Sequence, residues 1–227
     1  MLKNVMNAML VGAALTATVV VLSVGETASA APAAATTDSG AADKAKSYTE
    51  ATLVPFFNGC AELKAELKAA NTARKDWGAY SEDWKKFTPE EAAKNTNSYV
   101  YGEYLWSGKK DAAFRQQHTK SPSSAVLSAF QSKSNGVIAE CFVTDAKGGN
   151  VTQTATTSDW FQGDEDKFTK VEKKKECFYP APKRDDTVGQ TGVQVSVPIW
   201  DGEEFLGVAV VLVITDKVPA VASAEQK

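Results

Sequence analysis

Residues Cys141–Lys167 read CFVTDAKGGNVTQTATTSDWFQGDEDK, and the fold follows from how this stretch divides. An apolar run rich in β-branched residues, VIAECFV at 137–143, leads into it, and the chain turns through DAKGG at 145–149. It returns as NVTQTA at 150–155, with β-branched residues in alternation. Two such runs joined by a Gly-containing connection read as a β-hairpin with a loop of several residues. The next segment, TSDWFQGDED at 157–166, is too polar and too aromatic for another strand. Aromatics, carboxylates and a glycine directly after a strand make it a candidate wall for a small-ligand site.

Further strands follow. Gly192–Ile199 alternates, with Val193, Val195 and Val197 on one face and Gln194 and Ser196 on the other. Asp201-Gly202 is a hairpin turn. Phe205–Ile214 is nearly continuous Val and Leu, the pattern of a buried central strand. Between the hairpins, Asp164–Glu172 reads as a short helix. Acids lie in its first turn and Lys173–Lys175 at its solvated end, which suits the helix dipole. Capping and dipole are therefore the competing account of Asp164, Glu165 and Asp166. Glu176–Tyr179 reads as a short strand, and Pro180–Asp186 as a loop that cannot pair regularly.

Upstream of Asn135 the period is helical. Leu53, Phe56, Cys60, Leu63 and Leu67 line one face of a helix over 43–72, which Pro55 is expected to kink or split. Dimerisation through this helix stays open. Trp77, Tyr80, Trp84 and Phe87 have helical spacing and predict a core-packed helix rather than an aromatic ligand box. Thr88-Pro89-Glu90-Glu91 and Ser121-Pro122 are helix starts, and Asn135-Gly136 is a stop. The fold class is α+β: helices over 43–135 packed on an antiparallel sheet over 137–215, with a tail at 218–227.

The first thirty residues carry Lys3, an apolar stretch from about Val5 to Val24, and Ala28-Ser29-Ala30. That is an export signal over 1–30 with cleavage near Ala30, giving a periplasmic or secreted protein. Residues 31–42 are Ala, Pro, Thr, Ser and Gly with one Asp, and read as a disordered linker. The net charge of −3 offers no footprint for nucleic acid. Cys60, Cys141 and Cys177 allow one disulfide or none. Their spacing fits no zinc pattern, and no cofactor is implied. The only histidine, His118, lies on a polar stretch and reads as a surface residue. There is no Gly-x-Ser-x-Gly elbow, phosphate loop or dinucleotide fingerprint, so no enzyme is expected.

The run Thr157, Ser158, Asp159, Trp160, Phe161, Gln162, Gly163, Asp164, Glu165, following strand–Asp-x-x-Gly–strand, resembles the Cache domains. These are extracytoplasmic sensors with a PAS-like sheet, and the similarity is to their PDC subgroup. Gln194–Pro198, Asp201-Gly202 and Leu206–Val210 resemble the family's last two strands. The resemblance covers about the C-terminal 80 residues. It implies a sensor domain, and because no second hydrophobic stretch or signalling module follows the last strand, the domain is expected to stand alone, without the kinase or chemoreceptor body. The resemblance also implies a small ligand (amino acid, organic acid or amine) and a membrane-bound signalling partner. The positions it marks for ligand binding are Asp159, Trp160, Phe161, Gln162 and Asp164, with Gly163 as a tight turn. Tyr179, Arg184 and Asp186 come from the opposite loop. The alternative is an interaction protein of the same fold with no ligand.

Overall fold

The structure, a computed structural model, describes residues 34–185 and 190–219. The expected export signal, Asp186 and most of the tail lie outside the described residues. Helix α1 (Ala34–Tyr48) begins inside the stretch expected to be a linker. Five of its residues are alanine, the strongest helix former, and this outweighs the polar composition. One π-helical turn, Thr49–Leu53, leads into α2 (Val54–Gly59), and α3 (Ala61–Ala73) follows. Pro55 follows directly on the widened turn, where the Val54 N–H reaches back to the Thr49 carbonyl and the helix runs on through the proline. The sharp break comes later, at Cys60, whose backbone is extended (ψ 103).

The expected helix around Trp77–Phe87 is corrected to a single 3₁₀ turn, Glu82–Lys86. Gly78 instead bridges Ser98, and the Ser81 hydroxyl accepts the Asp83 N–H, starting a new turn rather than continuing an old one. Helix α4 (Pro89–Lys94) carries a full capping box between Thr88 and Glu91, as the sequence predicts. Then come α5 (Tyr99–Glu103), which widens into a π-helical turn at Tyr104–Gly108, α6 (Ala112–Thr119) and α7 (Pro122–Lys133). Ser121 caps α7, and Asn135 and Gly136, both at positive φ, end the helical half.

The sheet comprises β1 (Ile138–Thr144), β2 (Asn150–Gln153), β3 (Lys183–Asp185), β4 (Gln190–Asp201) and β5 (Glu204–Ile214), with α8 (Asp166–Lys174) between β2 and β3. The strand order is β2-β1-β5-β4-β3, antiparallel throughout, a PAS-like sheet with β5 at its centre. Helices α1–α3 and α7 pack on one face against Ile138, Cys141, Val143, Val193, Val195, Val197, Ala209, Val211 and Val213. The opposite face carries Phe142, Val208 and Val210, and α8 covers part of it with Phe168 and Val171.

The loop expected at 183–186 is corrected in part. The prolines end at Pro182, so Lys183–Asp185 keep their N–H groups and pair with Gln190–Gly192 as a short edge strand. Further along, Asn58 covers the edge of β4: its side chain accepts the Trp200 N–H (2.9 Å) and donates to the Pro198 carbonyl (3.2 Å). All three cysteines are free, with Cys141 buried. Among the described residues no helix is long and apolar enough to cross a membrane.

Candidate functional site

The segment after β2 folds into an aromatic cluster. Trp160 is fully buried among Tyr99, Trp106, Phe114 and Trp77, and Phe161 stacks on Tyr80 at 4.1 Å between centroids. The buried Glu103 carboxylate accepts the backbone N–H groups of both Trp160 (2.9 Å) and Phe161 (2.7 Å), pinning the turn between them. Burial pushes the Glu103 carboxyl up from its ordinary range, against the pull of those donors. The Gln162 amide donates to the Asp159 carbonyl, and the Asn150 and Thr157 side chains converge on the same oxygen. Gly163 has no left-handed backbone. A Cβ there would lie 2.4 Å from the Lys147 carbonyl, and one on Gly148 would meet Gly163 itself at 2.3 Å. The glycine expected as a tight turn is therefore one half of a backbone-to-backbone contact between the hairpin loop and this segment.

That hairpin loop is held from within. Asp145 is fully buried and accepts from Arg74 Nη1 (2.8 Å), the Tyr99 hydroxyl (3.0 Å) and the N–H groups of Lys147 and Gly149. His118 is a correction: it is 3% exposed, not on the surface. Its Nδ1 donates to the Phe114 carbonyl (2.8 Å) and its Nε2 accepts the Trp160 indole N–H (2.9 Å), which fixes the neutral tautomer. Burial, with Arg74 nearby, lowers its pKa to about 4. Asp164 is exposed and makes no capping bond. Glu165 holds the N-cap position of α8 without a side-chain bond to it, so the capping account of Asp164 is corrected.

Phe161 lines a cavity of about 310 Å³ with Trp77, Tyr80, Tyr99 and Lys147, and a separate basin lies on the sheet face turned away from α1–α3. This basin of about 410 Å³ is floored by Glu140 on β1, Leu212 on β5, and Gln194 and Gly192 on β4. Glu140 pairs with Leu212 and Leu212 with Gln194, so three of these form one row across three strands. The first turn of α8 (Glu165, Asp166, Lys167) makes one wall, and Phe178, Pro180, Ala181, Lys183 and Arg184 the other. Gly192 pairs with Lys183 across the edge of the sheet, and a Cβ on it would press to 2.8 Å from a Leu212 methyl. Two of the acids are neutralised, Glu165 by Lys167 (3.0 Å) and Asp166 by Lys170 (2.8 Å). Glu140, Lys183 and Arg184 form no ion pair among the described residues.

Of the residues marked by sequence, the basin includes Arg184 alone. Tyr179 faces a second groove with Glu50, Val54, Asn58 and Cys177, on the other side of the edge segment from Phe178. Asp159, Trp160, Phe161, Gln162 and Asp164 are not among the residues lining the basin, although their segment leads straight into its α8 wall. Sequence reasoning missed Glu140 and Lys183. The available signal was an acid inside an apolar strand, at an even position relative to Phe142.

No family model matches this chain, and no curated protein does. Among solved structures it is similar to the sensory domain of the Campylobacter jejuni chemoreceptor Tlp3 (CcmL) with isoleucine bound: 11% identity, TM-score 0.34, covering 79% of this chain and 64% of that one. It is similar to the V. cholerae histidine kinase DctB sensor domain at 14% identity and TM-score 0.33, covering 68% and 58%. It is similar to the ligand-binding domain of Mlp24 with asparagine at 12% identity and TM-score 0.28, covering 76% and 60%. The chain thus spans less than two thirds of each of these chains. Likenesses this distant leave the site to be judged on its own residues.

Proposed function

We propose that this chain is an extracytoplasmic sensor of the Cache type, exported with cleavage near Ala30, that binds a small polar molecule in the basin on its sheet face. The observation that carries this reading is the basin's chemistry. Charges of both signs that form no ion pair among the described residues, Glu140 against Lys183 and Arg184, stand around an apolar-and-amide floor of Leu212 and Gln194. In the groove beside the aromatic cluster the charges are already engaged: Arg74 pairs with Asp145, and Glu66 accepts from Ser123. Lysine and guanidinium groups grip carboxylates, so an organic acid or amino acid fits the β3 wall and an amine the Glu140 side. The run at 157–165 supports the site from behind. It locks the chain through Trp160, Phe161 and Glu103 and delivers α8 to the sheet.

Ligand binding to the native state raises stability by mass action. A panel of amino acids, organic acids and amines should contain at least one compound that raises the Tm of the intact domain. Lys183→Glu, on an exposed edge strand, should abolish that rise and leave the free protein's Tm unchanged. A rise that survives both Lys183→Glu and Glu140→Lys would place the ligand outside the basin. A flat panel would favour the same fold acting as an interaction protein.

A further inference from the structure

The basin's charges are separated, and this bears on what can fill it. We propose that its ligand is an elongated zwitterion, with carboxylate and ammonium at opposite ends, rather than a compact α-amino acid. This deepens the reading above and rests on it.

Cross-strand partners share a face, so Lys183, opposite Gly192, stands on the basin face with Gln194, Leu212 and Glu140. Arg184 is paired with Thr191, one residue out of phase, and belongs to the rim. The floor cation is thus Lys183 and the floor acid is Glu140. They sit on β3 and β1, with β4 and β5 between them. Three strand spacings put their backbones about 14 Å apart. The intervening row supplies no charge: Leu212 offers an apolar surface and Gln194 an amide. Gly192 offers no side chain at all, which leaves the floor beside Lys183 low. The acids of the α8 wall do not bring negative charge closer to Lys183, because Lys167 and Lys170 already hold Glu165 and Asp166.

An α-amino acid carries both charged groups on one carbon, within about 3 Å of each other. Such a molecule meets both Lys183 and Glu140 only if the two side chains fold toward each other over the floor, at a cost in side-chain freedom that a longer molecule avoids. A chain of several methylenes or a short peptide spans the row. Its carboxylate meets Lys183 and Arg184, its ammonium meets Glu140, and its apolar middle lies on Leu212.

The test uses molecules of six carbons on the full chain, by calorimetric titration: 6-aminohexanoate, its isomer norleucine, hexanoate and hexylamine. The expected result is that 6-aminohexanoate binds at least about tenfold tighter than each of the other three, the ratio expected from about 1.4 kcal/mol of added charge contact. Glu140→Gln should erase the preference over hexanoate while keeping the preference over hexylamine. Lys183→Gln should do the reverse. Norleucine binding as tightly as its isomer overturns the proposal, as does loss of both preferences in either variant. A compact hit from the wider panel, with none of the six-carbon molecules bound, overturns this inference but leaves the sensor reading standing. No binding by any compound, with both variants silent, removes both.

Discussion

Lowering the pH from 7.5 to 4 should destabilise this domain through His118, and the size of the effect follows from its surroundings. The imidazole is enclosed, with Nδ1 donating to the Phe114 carbonyl and Nε2 accepting from the Trp160 indole. A proton on Nε2 would face another donor, inside a cluster that also holds Arg74 over the Trp160 ring at 5.0 Å. The folded-state pKa of about 4 lies below the ordinary 6.5. The unfolded chain therefore binds the proton first as pH falls, and stability drains away between 6.5 and 4. At about 1.4 kcal/mol per pH unit the loss across that window is about 3 kcal/mol. Other groups titrate nearby. Glu103, with its pKa raised by burial, changes stability in the opposite sense: what it costs the fold is absent below the ordinary carboxylate range and appears as pH rises through it. The clean readout is accordingly a difference. Urea unfolding of the wild type and His118→Gln, every half unit from pH 7.5 to 4, should show a stability gap that shrinks by about 3 kcal/mol, with most of the change below 6.5. A gap that stays constant with pH would show that His118 does not titrate against its burial, and the reasoning would fail.

Glu103→Ala strips the acceptor from two buried N–H groups, each costing about 1–3 kcal/mol when left unpaired; denaturant unfolding should show a loss of about 4 kcal/mol, and limited proteolysis should open the chain at 154–165. Gly163→Ala forces a methyl to 2.4 Å from the Lys147 carbonyl, so it should destabilise the domain far more than Gly59→Ala, whose Cβ meets nothing within 4 Å; comparing the two Tm values checks it. Thr88→Ala removes the side-chain half of a capping box and should cost about 1 kcal/mol in urea unfolding. Asn58→Ala uncovers the Trp200 N–H at the edge of β4; amide exchange there should accelerate while the exchange of β5 stays slow.

Much of the fold was legible because its signals are local and periodic. The valines of β4, the continuous apolar run of β5 and the Thr88–Glu91 box each declare their conformation within a few residues, since strand and helix periods and cap chemistry are properties of short segments. The central position of β5 could be read from a run apolar on both faces. Where local signals conflicted with tertiary contacts, the contacts won. Trp77, Tyr80, Trp84 and Phe87 carry helical spacing, yet Trp77 and Tyr80 take their places against Trp160, Tyr99 and Phe161 from an extended segment.

The run at 157–165 leads into the wall of the proposed basin, while Trp160 and Phe161 themselves pack in the aromatic cluster. A sequence can say that Trp160, Phe161 and Gly163 are unusual. It cannot say whether an unusual residue faces a ligand or a buried partner such as Glu103, His118 or the Lys147 carbonyl, each distant along the chain. Glu140, Gln194 and Lys183 show the same limit from the other side. Glu140 stands out as an acid inside an apolar strand, but Gln194 and Lys183 look ordinary in theirs, and only the antiparallel register of four strands brings the three to one face and sets the distance between their backbones. Composition and period determined the elements; pairing across the sheet, decided by which apolar faces the helices cover, determined what lines the basin.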